Sequence, residues 1–246
     1  MFQVSAQPRL FDLRDENRPR LFDAFVHLYY RTFTEPSERE DPAEWPERLW
    51  GKTQTNASVT HLLVAAPDPV GSELAGGLLF ESFCGCSCGL LGYLAVNPNW
   101  RRKGVARLLV ETSRGILRED ARRDGERLQA VFAEVEDPDF RAQSESIPPF
   151  ERWLTFRKLG AKWIDIPYVQ PALKADADRA YHLRLLAFTE GGATSLEGET
   201  IRSFLSEYYR SCGIEHPEKD PDIMRMLLGM GQLVSLRDLG DKTGDV

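Results

Sequence analysis

Apolar residues recur along the chain at two spacings, helical and alternating, and the switches between them mark out the elements. Leu21, Phe22, Phe25, Leu28 and Tyr29 repeat at helical intervals within Leu21–Phe33, which predicts an amphipathic helix with one buried stripe. A short strand near Leu10–Leu13 precedes it. His61–Ala66, Leu74–Phe83 and Gly89–Val96 are apolar runs of strand length separated by Gly, Pro and Asp, the pattern of an antiparallel meander. Helical spacing returns at Val105, Leu108, Leu109 and Ile116, in a helix that ends with Arg122 and Arg123 ahead of Gly125. Leu128–Glu136 reads as a strand, and Pro148-Pro149 opens a helix that Gly160 stops after Leu159. Trp163–Val169 and Leu183–Phe188 read as further strands.

From about Gly191 the pattern becomes helical. Thr194–Glu197 has the form of a capping box ahead of a helix carrying Ile201, Phe204, Leu205, Tyr208 and Cys212 on one face, with Gly213 as its stop. Asp220-Pro221 starts another helix through Met224, Leu227 and Leu228. The expected division is an α/β domain with a mixed sheet over residues 1–190 and a helical C-terminal extension over residues 191–246 packed on it.

Composition narrows the function. A chain of 246 residues, 42% of them hydrophobic, can bury a core without disulfides or a structural metal. With 31 Lys and Arg against 38 Asp and Glu the net charge is −7, so no nucleic-acid partner is expected and cationic partners are favoured. No run approaches the roughly 20 apolar residues of a membrane span, and Met1–Arg20 has no apolar signal core, so no membrane partner is expected and the expected location is cytoplasmic. Cys84, Cys86 and Cys88 alternate within FCGCSCG without the paired spacing of a zinc site or a nearby His, which predicts a hairpin turn with small reduced thiols and no metal. His27, in the apolar helix, reads as a packing residue.

The chemistry concentrates in GYLAVNPNWRRKGVARLL, Gly92–Leu109. A strand ends at Val96, a turn with Pro98 follows, and Arg101, Arg102, Lys103, Gly104, Val105 and Ala106 open a helix. Three cations at a helix N-terminus oppose the macrodipole, and an anionic ligand removes that conflict. First-turn N–H groups then face phosphate oxygens, while Gly104 and Ala106 let the ligand approach the backbone. The string is neither a Walker A loop nor a dinucleotide fingerprint.

Instead, V-x-P-x-x-R-x-x-G-x-A at Val96, Pro98, Arg101, Gly104 and Ala106 resembles the acyl-CoA pyrophosphate loop of the GNAT superfamily of N-acetyltransferases. The order of elements over about residues 8–190 is similar too, including a helix ending in FRKLG at Phe156–Gly160. The resemblance implies a GNAT-like acyl-CoA N-acyltransferase fold whose sheet splays between Gly89–Val96 and Leu128–Glu136. The pantetheine arm of acetyl-CoA would lie in the gap on the backbone of Leu94, Ala95 and Val96, with Gly92 as a bulge that starts the splay.

Attack on a thioester needs a neutral amine, and deprotonating a lysine-like amine of pKa about 10.4 at neutral pH costs about 4.6 kcal/mol. Glu134 in FAEVE stands where many GNAT enzymes carry a base on this strand, and alternation puts it on one face with Glu136. Where many members have an acidic tyrosine four residues before the glycine that ends the next helix, this chain has Phe156, which cannot donate a proton. That leaves water, Tyr93, Tyr168 or no group to protonate the thiolate.

Glu35–Glu47 holds six acids and one base, with Trp45 inside it and Trp50 just beyond. It falls where the family's acceptor site is walled, so it is expected to draw in a cationic amine, with the tryptophans offering cation–π faces. The leading expectation is acetyl transfer from acetyl-CoA to a primary amine, small molecule or peptide, by direct attack; a homodimer is left open. The competing readings are a non-catalytic acyl-CoA-binding or sensing protein and, with less support, a thiol-based redox or metal-responsive protein.

Overall fold

A computed structural model describes residues 7–51, 58–69, 73–139, 147–174 and 177–240. In chain order the elements are β1 (Arg9–Asp12), α1 (Pro19–Thr32), α2 (Trp45–Trp50), β2 (Ser58–Ala66), β3 (Gly76–Phe83), β4 (Cys88–Val96), α3 (Val105–Arg123) and β5 (Ala130–Glu136). They continue with α4 (Pro149–Leu159), β6 (Lys162–Ile164), β7 (Leu183–Phe188), β8 (Ser195–Glu197), α5 (Gly198–Ser211), α6 (Pro221–Leu227) and β9 (Leu233–Asp238). The nine strands form one mixed sheet in the order β1-β2-β3-β4-β5-β7-β6-β9-β8.

Both faces of the sheet are covered, which is why its central strands are apolar at nearly every position. Leu63, Ala65, Leu78, Phe80, Leu91, Val131 and Ala133 point to the face packed by α3 and α4. On the other face α1 and α2 cover the β2–β4 half, and α5 and α6 cover the β5–β9 half through Phe204, Leu205, Ile223 and Met226.

β4 and β5 are the parallel neighbours, and they pair only from Cys88–Leu91 to Ala130–Ala133. Beyond Leu91 they part. Leu79 pairs with Tyr93 while Phe80 pairs with Leu91, so Gly92 is the extra residue of a bulge at the point of parting. A bulge bends its strand and increases its twist, which turns the β5-facing edge of Gly92–Val96 away from any strand partner.

Three local expectations change. The strand expected over Trp163–Val169 is only Lys162–Ile164, because Pro167 has no N–H for a ladder and the chain closes tight turns from Ile166 N–H to Ile164 O and from Tyr168 N–H to Ile166 O. The capping box at Thr194–Glu197 does not form: Ser195–Glu197 is strand β8, and no side chain caps α5. Its partner β9, which has no counterpart in the sequence reading, also pairs with β6, so the C-terminal segment adds strands to the sheet as well as helices. The third change is His27, which is exposed.

His61, on β2, is a buried titratable side chain outside the splay. It is 3% exposed and stacks on Phe80, with Nδ1 2.8 Å from Asp12 Oδ2 and Nε2 3.0 Å from Asp120 Oδ2. Burial lowers its pKa, but the hydrogen bonds and charges of the two aspartates outweigh burial and raise it above 6.5. A raised folded pKa gives stability that is complete below the unfolded value and lost as pH rises through the folded one. Urea unfolding should therefore show declining stability on the alkaline side of 6.5. His61→Leu takes the imidazolium from half-buried Asp12 and from buried Asp120, which among the described residues keeps only the exposed Arg123, and should cost on the order of 3–5 kcal/mol and flatten that decline. Unchanged stability and an unchanged pH profile would remove this clasp from the account.

Candidate active site

The parting of β4 and β5 opens a cavity of about 840 Å³, within the range of small-molecule sites. Its two ends differ in charge. At one end lies the turn before α3. Leu94 and Val96 of β4 and Arg101, Arg102, Gly104, Val105 and Ala106 of the turn line the cavity. Ala95 faces the α1 side and is fully buried there. Lys103 does not line the cavity; its ammonium lies 5.0 Å from the Trp100 ring centroid.

The turn is built to leave donors open. Asn97 Oδ1 accepts from Asn99 N–H at 3.1 Å and starts a single 3₁₀ turn over Pro98–Trp100. Arg102 and Gly104 then take left-handed backbone at φ +61° and +82°. Gly104 is the N-cap of α3 and brings no side chain to its first-turn N–H groups. A Cβ there would meet nothing within 4 Å, so glycine is required by the backbone angle, and the space in front of the helix end is open. Arg101 Nε is buried with no hydrogen-bond partner among the described residues. An orphaned guanidinium N–H beside unsatisfied helix N–H groups suits a phosphate oxygen. Arg107 and Lys158 add positive charge at the same end.

At the other end sits Glu134. Its carboxylate accepts from the hydroxyl of Tyr168, from Gln170 Nε2 at 2.7 Å and from the hydroxyl of Tyr208 at 3.3 Å. Burial pushes its pKa up to about 7, against those three hydrogen bonds, with a smaller upward push from the charge of Glu38. Glu136, on the same strand, is 2% exposed and paired with Arg152.

The acidic segment divides. Glu38 and Glu40 line the cavity, whereas Glu35, Asp41, Glu44 and Glu47 are exposed elsewhere. Glu40 accepts from Trp45 Nε1 at 2.8 Å and from Arg48, which also pairs with Glu81 on β3. Burial and the nearby charge of Glu81 raise the Glu40 carboxyl despite Arg48. Glu38 pairs with His182 at the start of β7. Five carboxyl groups (Glu38, Glu40, Glu81, Glu134 and Glu136) thus line this end, set against the guanidinium groups of Arg48 and Arg152 and the imidazole of His182 behind Glu38.

The expected aromatic faces are absent from the cavity lining. Trp45 is wholly buried in the core between α1 and β4, and Trp50 packs on Phe22. Phe156 does line the cavity. The Tyr93 hydroxyl donates to Glu38 O at 3.0 Å and accepts from Glu40 N–H at 3.1 Å, and Tyr168 gives its proton to Glu134, so both proposed substitutes for the missing acid are engaged. Cys84 and Cys86 are half-buried in the β3–β4 turn and Cys88 is buried. Among the described residues no group of His, Cys, Asp and Glu could hold a metal ion, and no helix is long and apolar enough to cross a membrane.

The acetyltransferase (GNAT) family model matches residues 22–144, which is 123 of the 246 residues. The chain belongs to the GNAT acetyltransferase family. Its fold agrees with that of a GNAT-family acetyltransferase from Bacteroides thetaiotaomicron, 15% identical with a TM-score of 0.55, over 85% of this chain and 96% of that one. More distant are the ribosomal-protein-S18-alanine N-acetyltransferase of Escherichia coli (14% identical, TM-score 0.45, 74% of this chain and 93% of that one) and a Bacillus subtilis acetyltransferase in complex with CoA (13%, 0.42, 74% and 98%). No curated protein matches the chain. Acyl transfer is therefore the chemistry of this GNAT enzyme, and the cavity is its candidate site.

Five residues of the acidic end, Gln170, Tyr208, Arg48, Arg152 and Glu81, escaped the sequence reading. Gln170 and Tyr208 lie 36 and 74 positions from Glu134, and no local pattern links them to it. Arg48 follows the acidic segment directly, and Glu81 is a charge inside an otherwise apolar strand, a signal that was present. Carbon-13 NMR of δ-labelled glutamate should show one carboxyl titrating near pH 7, lost in Glu134→Gln. A spectrum in which every glutamate titrates near its ordinary value of about 4.3 would place Glu134 in a wetter setting than the one described.

Proposed function

We propose that this GNAT enzyme transfers an acetyl group from acetyl-CoA to a primary amine that is cationic in solution, with Glu134 as the base. The observation that carries the reading is a buried carboxyl of pKa about 7 at the opposite end of the cavity from a cationic, donor-rich turn. Arg101 Nε and the first-turn N–H groups of α3 would take the pyrophosphate. Leu94–Val96, on the unpaired edge of β4, would hydrogen-bond the pantetheine arm as a further strand. Cytoplasmic location fits an acyl-CoA substrate and unpaired thiols.

The proton bookkeeping favours Glu134. An amine of pKa about 10.4 gives its proton to an ordinary carboxylate only across a gap of about 6 units. Raising the carboxyl from 4.5 to about 7 narrows the transfer by roughly 3 kcal/mol while leaving about half of the base ionised at neutral pH. Glu134 passes that first proton to solvent, the freed lone pair attacks the thioester carbon, the C–N bond forms as the C–S bond breaks, CoA leaves as a thiolate, and the nitrogen's second proton goes to Glu134. Phe156 has no proton to give, so the thiolate is protonated by water. The excess of carboxyl groups over guanidinium groups at this end favours an acceptor that arrives charged.

A CoA-release assay over a panel of amines tests the reading. Glu134→Gln should lower kcat by about 10²–10⁴-fold with acetyl-CoA affinity unchanged, and the wild-type rate should rise with pH through about 7 before levelling. Wild-type turnover in the Gln variant would assign the base elsewhere. Gly104→Val forces a β-branched residue into left-handed backbone and puts methyl groups in front of the helix end, so calorimetry should find acetyl-CoA binding abolished in a protein that still folds. Unchanged affinity would move the pyrophosphate off this turn.

A further inference from the structure

Gln170 lines the cavity and carries a buried, unpaired acceptor. The residue is 5% exposed, and its Oε1 has no hydrogen-bond partner among the described residues. Its orientation is fixed from two directions. The backbone N–H donates to Ala180 O at 3.0 Å while its carbonyl accepts from Ala180 N–H at 3.2 Å, and the side-chain Nε2 donates to Glu134 Oε2 at 2.7 Å. Exchanging the amide ends would set an oxygen against the carboxylate, so Oε1 must be the free atom.

Glu134 keeps a free position as well. Oε2 accepts from Gln170 and Tyr208, but Oε1 accepts only from Tyr168, and a carboxylate oxygen has room for two donors. Two adjacent residues of the cavity wall, joined by one hydrogen bond, therefore each keep an unfilled acceptor among the described residues. A buried acceptor without a donor costs free energy that a fitting ligand recovers.

We propose that Gln170 Oε1 and Glu134 together seat the nucleophilic nitrogen, and that Gln170 selects acceptors with two N–H bonds, that is primary amines, over secondary amines. This rests on the reading of Glu134 as the base. In the neutral amine one N–H donates to Gln170 Oε1 and the other to Glu134, which leaves the lone pair free for the thioester carbon. As the C–N bond forms and the C–S bond breaks, the proton shared with Glu134 passes to the carboxylate and the electron pair leaves on sulfur. A secondary amine has one N–H. It must leave Gln170 Oε1 unpaired, and the seat then costs it about 10- to 100-fold in kcat/KM. Gln170 and the segment that pins it lie outside residues 22–144, beyond the match to the family model.

The test uses propylamine, phenethylamine and 1,4-diaminobutane, each beside its N-methyl counterpart, in a CoA-release assay with wild type, Gln170→Leu and Glu134→Gln. Wild type should prefer each primary amine by about 10- to 100-fold in kcat/KM. Gln170→Leu, with acetyl-CoA affinity and melting temperature as checks on folding, should collapse that preference to within a few-fold. Loss of the donor to Glu134 slows both members of a pair alike and cancels in the ratio, so the ratio reports the seat alone. Gln170→Met serves if the leucine variant does not fold. Equal rates for both members of every wild-type pair, or an undiminished preference in the folded variant, would overturn the proposal. Turnover that survives in Glu134→Gln while the ratio still depends on Gln170 would overturn the base and leave the seat standing. Acetyl-CoA binding without turnover of any amine would overturn both.

Discussion

Two parallel strands that pair for four residues and then part are the constraint on which the rest of the site depends. A sheet ordinarily consumes every backbone donor and acceptor between its strands, and here the bulge at Gly92 ends that consumption at Leu91. The unspent edge of β4, the open end of α3 and the inward side of Glu134 all face the gap that results. None of them would be accessible in a continuous sheet. The nine-stranded span and the helices on both faces hold the strands apart by packing on their other sides, so the gap is enforced by the core and needs no contact within it.

The cavity is polarised along its length, and the polarity separates two kinds of electrostatics. At the α3 end the positive charges are only half-buried or exposed, so they attract and orient an anion at small desolvation cost. At the Glu134 end the charges are deep and largely paired: Arg48 lies between Glu40 and Glu81, and Arg152 neutralises Glu136. Burying a carboxylate without such a partner drives it toward its neutral form. Glu134 has hydrogen-bond donors around it but no cation, and burial carries its carboxyl up to about 7; burial raises Glu40 as well, although Arg48 holds it.

The difference between legible and hidden features follows sequence distance. The strand, turn and helix within Gly92–Leu109 were readable because the signals for each lie beside one another in the chain. Glu134 was singled out by the resemblance to GNAT enzymes, and alternation adds that it shares a face with Glu136. The division of the acidic segment was not readable, since whether Glu38 or Glu44 enters the cavity depends on Tyr93, more than fifty positions on, which anchors Glu38 O and Glu40 N–H. β9 escaped for the same reason. A six-residue strand that pairs with β6 and β8 shows no partner in its own vicinity. Tyr208 sits at a core position of an amphipathic helix, so periodicity accounts for its ring and is silent about its hydroxyl.

The pKa of Glu134 is a small difference between large opposing effects, and this decides where its tuning resides. Each hydrogen bond to an ionised carboxylate contributes about 1.5–3 kcal/mol, equivalent to roughly one to two pKa units. Burial without the three donors would lift the carboxyl several units above about 7 and keep it protonated, useless as a base at neutral pH. Full solvation would drop it toward 4.5, too weak a base for an amine. Tyr168, Gln170 and Tyr208 hold the balance between these limits, and all three follow residue 144, where the match to the family ends. The gap and the turn before α3 lie within the match to the family model, and the proton affinity of Glu134 is set from the second half of the chain.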